Sequence, residues 1–125
     1  MKKIHIALAT AASILTSVPG YVHHSGAMFE ISKQVTITGV VSQFNWENPH
    51  ASFKVDVADS SGTVHVWAVE MGSPNNLIRE GWKRTTLKLG DKVTVAVKPL
   101  RDGAPGGLYV GITLADGRSL GAPAS

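Results

Sequence analysis

The chain has 125 residues, 43% of them hydrophobic and 17% charged, with no cysteine and a formal net charge of +3. That length bounds it to one modest domain. Without cysteine there are no disulfides, no thiolate metal site, no covalently attached c-type haem and no lipid anchor on cysteine.

The N-terminus reads as a secretory signal over residues 1–20. Lys2 and Lys3 form a positive start, Ile4 to Val18 is apolar and small, and Pro19-Gly20 follows. The apolar run is too short for a comfortable membrane span, and no other segment approaches that length. Cleavage after Gly20 leaves small residues at the cut; cleavage after Val22 is the alternative. Removing Lys2 and Lys3 leaves 10 of the 12 basic residues against 9 acidic ones, so the mature chain carries about +1. Much of the positive charge thus belongs to the signal, and a nucleic-acid role is not expected. The expected location is the periplasm, or outside the cell, with no membrane span in the mature form.

Residues 21–33 form a polar lead-in that Met28, Phe29 and Ile31 are placed to pin to a core. Residues 34–46, QVTITGVVSQFNW, alternate and are rich in β-branched side chains, predicting a first strand with a bulge or bend at Gly39. Glu47-Asn48-Pro49 is a turn leading to His50. Residues 51–59 alternate as a second strand, with Phe53, Val55 and Val57 on one face. Ser60-Ser61-Gly62 turns a hairpin into a third strand over 63–71. Here Val64, Val66 and Ala68 oppose His65, Trp67 and Val69. Ser73-Pro74 opens a helix of about two turns that stops at Gly81. Val93, Val95 and Val97 mark a fourth strand. After the loop RDGAPGG (101–107), residues 108–114 form a fifth, with Leu108, Val110, Ile112 and Leu114 inward. The tail is expected to fray, with the domain spanning 34–121 and 122–125 beyond it.

The order β-β-β-α-β-β matches the five-stranded oligonucleotide/oligosaccharide-binding (OB) barrel, an all-β Greek key with one short helix. An open β-sandwich without the helix is the competing reading.

Several short motifs resemble a known family: HHS at 23–25, Trp46-x-Asn48-Pro49-His50, EMGSPN at 70–75, GWKR at 81–84, LKLGDKVTV at 87–95 and RDG at 101–103. Together they resemble the small exported bacterial proteins grouped as domain of unknown function 6152, from about His23 to Gly121. Gly26 departs from the aromatic that the resemblance implies after HHS. The resemblance implies export and a single domain; it supplies no reaction.

In an OB barrel, ligands meet the face of strands 2 and 3 and the loops joining strands 1–2 and 4–5. That selects Trp46, Asn48, His50, Glu70, Trp82 and Arg101 as candidate ligand-binding residues around one end, with Trp46, Trp67 or Trp82 as walls. His50 is read either as a metal ligand or general base, or as a structural histidine bonded to loop backbone. Glu70 either ligates or orients His50, or pairs with Arg84 or Arg101. His65 is expected on the surface beside Lys54 or Asp56, and Trp67 and Trp82 in the core or at its rim.

His23 and His24 are the other candidate metal ligands, with His50 as a third. Cleavage after Gly20 puts His23 at the third position of the new terminus. Amine, two amides and imidazole then suit the square-planar preference of Cu(II) or Ni(II). Cleavage after Val22 makes His23 the terminus, a bidentate clamp. A solvated or packed tail is the alternative. No Gly-x-Ser-x-Gly, H-E-x-x-H or phosphate loop occurs, so an enzyme is not expected. The expectation is an exported binding module, with copper or another divalent metal slightly favoured over an organic ligand. A periplasmic accessory subunit that binds a partner protein through its exposed Trp and the Trp82-Lys83-Arg84 corner is the second hypothesis, and a copper-dependent redox enzyme the third.

Overall fold

The computed structural model describes residues 26–122. The predicted signal, His23 and His24 lie outside the described residues. After a 3₁₀ turn at Gly26–Met28 come β1 (Val35–Asn45), β2 (Ser52–Ala58), β3 (Val64–Glu70), α1 (Pro74–Arg79), β4 (Lys92–Pro99), β5 (Gly106–Thr113) and β6 (Ser119–Gly121). The sheet order is β3-β2-β1-β4-β5-β6, and a parallel pairing of β3 with β5 closes it into a barrel. This is the OB topology; the closure and the helix rule out the open sandwich. Among the described residues no helix is long and apolar enough to cross a membrane.

Closure depends on β1 serving two partners. Its first half pairs β4, from Val35↔Val97 to Val40↔Lys92, and its second half pairs β2, from Val40↔Asp56 to Asn45↔Ser52. Gly39 stands at the crossing. A Cβ there would sit 2.1 Å from the Asp56 carbonyl oxygen, so only glycine lets β2 approach this closely. The bulge expected at Gly39 falls at Ser42, where the register shifts between Val41 and Gln43.

Inside the barrel, Val41, Phe53, Val55, Val69, Val93, Val95, Val97 and Ile112 are buried. The alternation expected for the fifth strand holds only for Ile112 and Leu114. A register shift opposite Ala96/Val97 leaves Val110 unpaired, so Tyr109 turns onto the core while Leu108 and Val110 are half-buried. A Cβ on Gly107 would lie 2.8 Å from the Val97 Cβ, which places that position inward too.

The helix plugs one end of the barrel. The Ser73 hydroxyl accepts from the Asn76 N–H at 3.3 Å, and Pro74 fills the first turn. At the other end, Gly81 N–H donates to Ile78 and Trp82 N–H to Leu77, with Gly81 at φ +99°. These two bonds form the Schellman motif, which needs a left-handed residue at that position. The reversal drives Trp82 into the core at 1% exposure, where it meets Phe44, Phe53 and Tyr109. Its Nε1–H donates to the Tyr109 hydroxyl at 3.2 Å.

The end of the domain carries a short strand for which the sequence pattern gives no signal. Ser119, Leu120 and Gly121 pair with β5, because the Asp116-Gly117 turn folds them back and Leu120 packs against the core. The sheet therefore has six strands, five of them forming the barrel.

Candidate functional site

The two loops that the sequence reading brought together lie at opposite ends of β1. β1 and β4 are antiparallel, so Arg101, just beyond β4, lies at the Val35 end, whereas Trp46, Asn48 and His50 follow Asn45. Eleven residues of strand separate the two, roughly 30 Å along the chain.

At the helix end, Trp46 is half-buried with its ring edge-on to Phe44 at 5.8 Å. Its carbonyl accepts from Arg84 Nη1 at 3.4 Å. Trp46 and Trp82 share a shallow groove of about 380 Å³ with Ile78, Lys83 and Arg84. Asn48, in a cis peptide bond with Pro49, and His50 are exposed in the same loop. Glu70, half-buried, ends β3 opposite Ser52. Of the six expected ligand-binding residues, this end holds Trp46, Asn48, His50, Glu70 and Trp82. Trp82 is a core residue and offers little wall.

Arg101 ties down the lead-in. Its Nε donates to the Ala27 carbonyl at 3.0 Å and its Nη1 to Glu30 at 3.1 Å, while its backbone N–H donates to Met28. Phe29 bridges to Leu100 and is buried. The Ser32 hydroxyl, and then Arg101, hold the Glu30 carboxyl below its usual range. Among the described residues no three His, Asp or Glu side chains gather as a metal site, and the other candidate ligands, His23 and His24, lie outside them.

A second group of residues meets at the barrel mouth opposite the helix. Val57, Asp59, His65 and Trp67, from the β2–β3 hairpin, face Gly103 and Pro105 of the β4–β5 loop across a groove of about 360 Å³. The hairpin register sets Val57 opposite His65, so His65 shares the inward-facing side with Trp67 and Val69. It is exposed because it lies at the open end, and its neighbours are Val57 and Asp59 in place of the expected Lys54 or Asp56. His65 Nε2 lies 2.8 Å from Asp59 Oδ2. The other carboxylate oxygen accepts from the Ser61 hydroxyl at 2.6 Å, Ser61 N–H at 2.8 Å and Thr63 N–H at 3.1 Å. These bonds, the Ser61 hydroxyl foremost and His65 next, hold the Asp59 carboxyl well below the usual carboxylate range. Asp59 is thus an anion fixed by its own turn, and its carboxylate orients the imidazole. In the neutral ring that donates Nε2–H to Asp59, Nδ1 is the nitrogen open to an external donor.

The strand pattern of the sequence marks His65 only as a surface residue and does not single out Asp59. The signal was present: Asp59 two residues before Ser61, in a Ser-Gly turn, is an Asx-turn pattern. Counting outward from that turn sets Asp59 near His65.

The family model covers residues 11–110. The chain belongs to DUF6152, a family of unknown function. No curated protein matches this DUF6152 chain. Among solved structures, it is similar to the crystal structure of Rim1, a mitochondrial single-stranded DNA binding protein from S. cerevisiae. The identity is 14%, covering 66% of this chain and 93% of that one, with a TM-score of 0.49.

Proposed function

We propose that this DUF6152 chain is an exported OB-fold binding module that takes a small ligand in the mouth of its barrel. The observation that carries the reading is the Asp59–His65 pair beside the half-buried Trp67, under the β4–β5 loop. Small-ligand sites favour barrel mouths and combine apolar walls with a few placed polar groups. Trp67, Val57 and Pro105 supply the walls; His65 supplies an oriented ring nitrogen. A ligand with a flat face and a hydroxyl or amide donor fits that pairing, stacking on the indole and donating to Nδ1. Export rests on the signal-like residues 1–20.

Copper is the second reading, favoured by one sequence feature. Cleavage after Gly20 would present Tyr21-Val22-His23 as a four-nitrogen set for Cu(II), and cleavage after Val22 would make His23 a bidentate terminal clamp with His24 or His50 as a third ligand. An accessory subunit that binds a partner protein, with incidental histidines, is the remaining alternative.

One experiment separates them. The protein is exported through its own N-terminus, its intact mass recorded, and the ¹⁵N-labelled mature form titrated with 4-hydroxybenzoate, with glucose and with Cu(II). The mouth reading expects an organic probe to shift the amides of Val57, His65 and Gly103, and the shifts to vanish in Trp67→Ala. Cu(II) bound through nitrogen and lost in His23→Ala would favour the copper reading. A mass retaining residues 1–20 would remove export, and organic probes that leave the mouth amides unmoved would remove the mouth.

A further inference from the structure

The outer edge of β1 is open where the strand leaves β4. The last β1–β4 pair is Val40↔Lys92, and Val41 is held by Asp91 and Gly90. From Ser42 to Asn45, β1 is laddered only to β2; among the described residues no other segment exchanges backbone hydrogen bonds with it. Beside this edge lies a groove of about 360 Å³, walled by Phe44 and by Leu89, which is 71% exposed. Arg84 lines this groove and also the one holding Trp46 and Ile78, the latter 55% exposed. The two grooves share Arg84 and are taken together as a trough beside the unpaired strand edge, with Phe44, Leu87, Leu89, Trp46 and Ile78 as its main apolar lining. Arg84 and Lys83 are its charged lining residues, and no carboxylate lines it.

An exposed strand edge with pockets on either side is the receptor half of β-strand addition. The main-chain groups of an added strand supply affinity, and alternate side chains enter the pockets. The charge of the lining selects the occupant: a segment carrying carboxylates is attracted and a basic one repelled. We propose that this trough docks an extended, apolar segment bearing carboxylates, contributed by a partner protein. The surface is distinct from the barrel mouth and does not rest on the ligand reading above.

The test uses acetyl-Val-Glu-Val-Glu-Val-amide, its lysine counterpart, and the glutamate peptide N-methylated at alternate residues. Binding is followed by amide shifts of the ¹⁵N-labelled protein. The glutamate peptide is expected to shift Ser42 to Asn45 and Leu89, and the lysine peptide to bind about tenfold more weakly. N-methylation should abolish binding, because it removes the main-chain donors. Arg84→Glu should reverse the preference between the two peptides. Arg84→Gln, a milder change at an exposed residue, should narrow it. Failure of the glutamate peptide to shift these amides at millimolar concentration would overturn the proposal, as would equal binding by the N-methylated form. Self-association through Ser42–Asn45 without peptide would assign the trough to a second copy and overturn it too.

Discussion

Tyr109→Phe tests the aromatic plug with a change of one oxygen atom. Trp82 is 1% exposed, and its Nε1–H donates to the Tyr109 hydroxyl at 3.2 Å. The Phe variant keeps the ring, which meets the indole nearly perpendicular at 87° with centroids 5.4 Å apart. The loss is therefore the hydrogen bond, together with a buried indole N–H left without an acceptor. Such a group costs about 1–3 kcal/mol, and the long bond points to the lower half of that range. In urea, where a small domain loses about 1–2 kcal/mol per molar, the midpoint should fall by about 1 M. Circular dichroism reads it without depending on the tryptophan. The same change in a Trp82→Phe background should cost far less, since the donor is already absent. Equal losses in both backgrounds, or a loss below about 0.5 kcal/mol in the parent, would refute the reasoning.

The same hydroxyl makes stability sensitive to alkali. Burial pushes its pKa up to about 12 from 10.0, against the opposing pull of the Trp82 N–H. Above pH 10 the unfolded chain has released this proton while the folded protein keeps it. The contribution is therefore complete below pH 10 and lost as pH rises towards 12; urea midpoints across that window should fall less steeply in Tyr109→Phe. Asp59 acts in the opposite sense. Its folded pKa lies below the ordinary 3.8, so its contribution is present above that value and lost as pH falls past it. Asp59→Asn should flatten the acid limb of the stability curve and speed amide exchange at Ser61 and Thr63. Gly39→Ala drives a methyl group against the Asp56 carbonyl oxygen and should cost about 1–3 kcal/mol or more in thermal unfolding. Arg101→Ala removes the side-chain bonds to Ala27 and Glu30 and should raise hydrogen exchange at Ala27 to Glu30 about tenfold, with β2 and β3 unchanged.

The strand order, the helix and its caps were legible because their signals are local. Alternation marks β2, and Ser73-Pro74 with Gly81 brackets α1 within a residue or two. The site was less legible. Arg101 and His50 were grouped through the general loop usage of the fold, yet the antiparallel pairing of β1 with β4 carries those loops to opposite ends. Tyr109 was read as outward because a bulge at Val110 cannot be seen in the pattern of one strand; it exists only against β4. β6 has no signal in the sequence because a three-residue strand has no periodicity of its own and forms only on the edge of β5.

Residues 35–121 alone determined that this chain builds a small barrel with a helical insert, since period, turn residues and caps are properties of neighbours in sequence. Tertiary structure decided which side chains meet. Glycine at position 39 reads as a bend in the sequence, but the carbonyl that forbids a Cβ there belongs to Asp56. His65 and Asp59 are six residues apart and become a bonded pair because the hairpin register brings them together. The open edge at Ser42–Asn45 arises because β4 begins at Lys92, opposite Val40, whereas covering that edge in the same register would take residues 87 to 90. The candidate sites therefore depend on pairings between strands, and those are set by long-range packing and not by the local pattern.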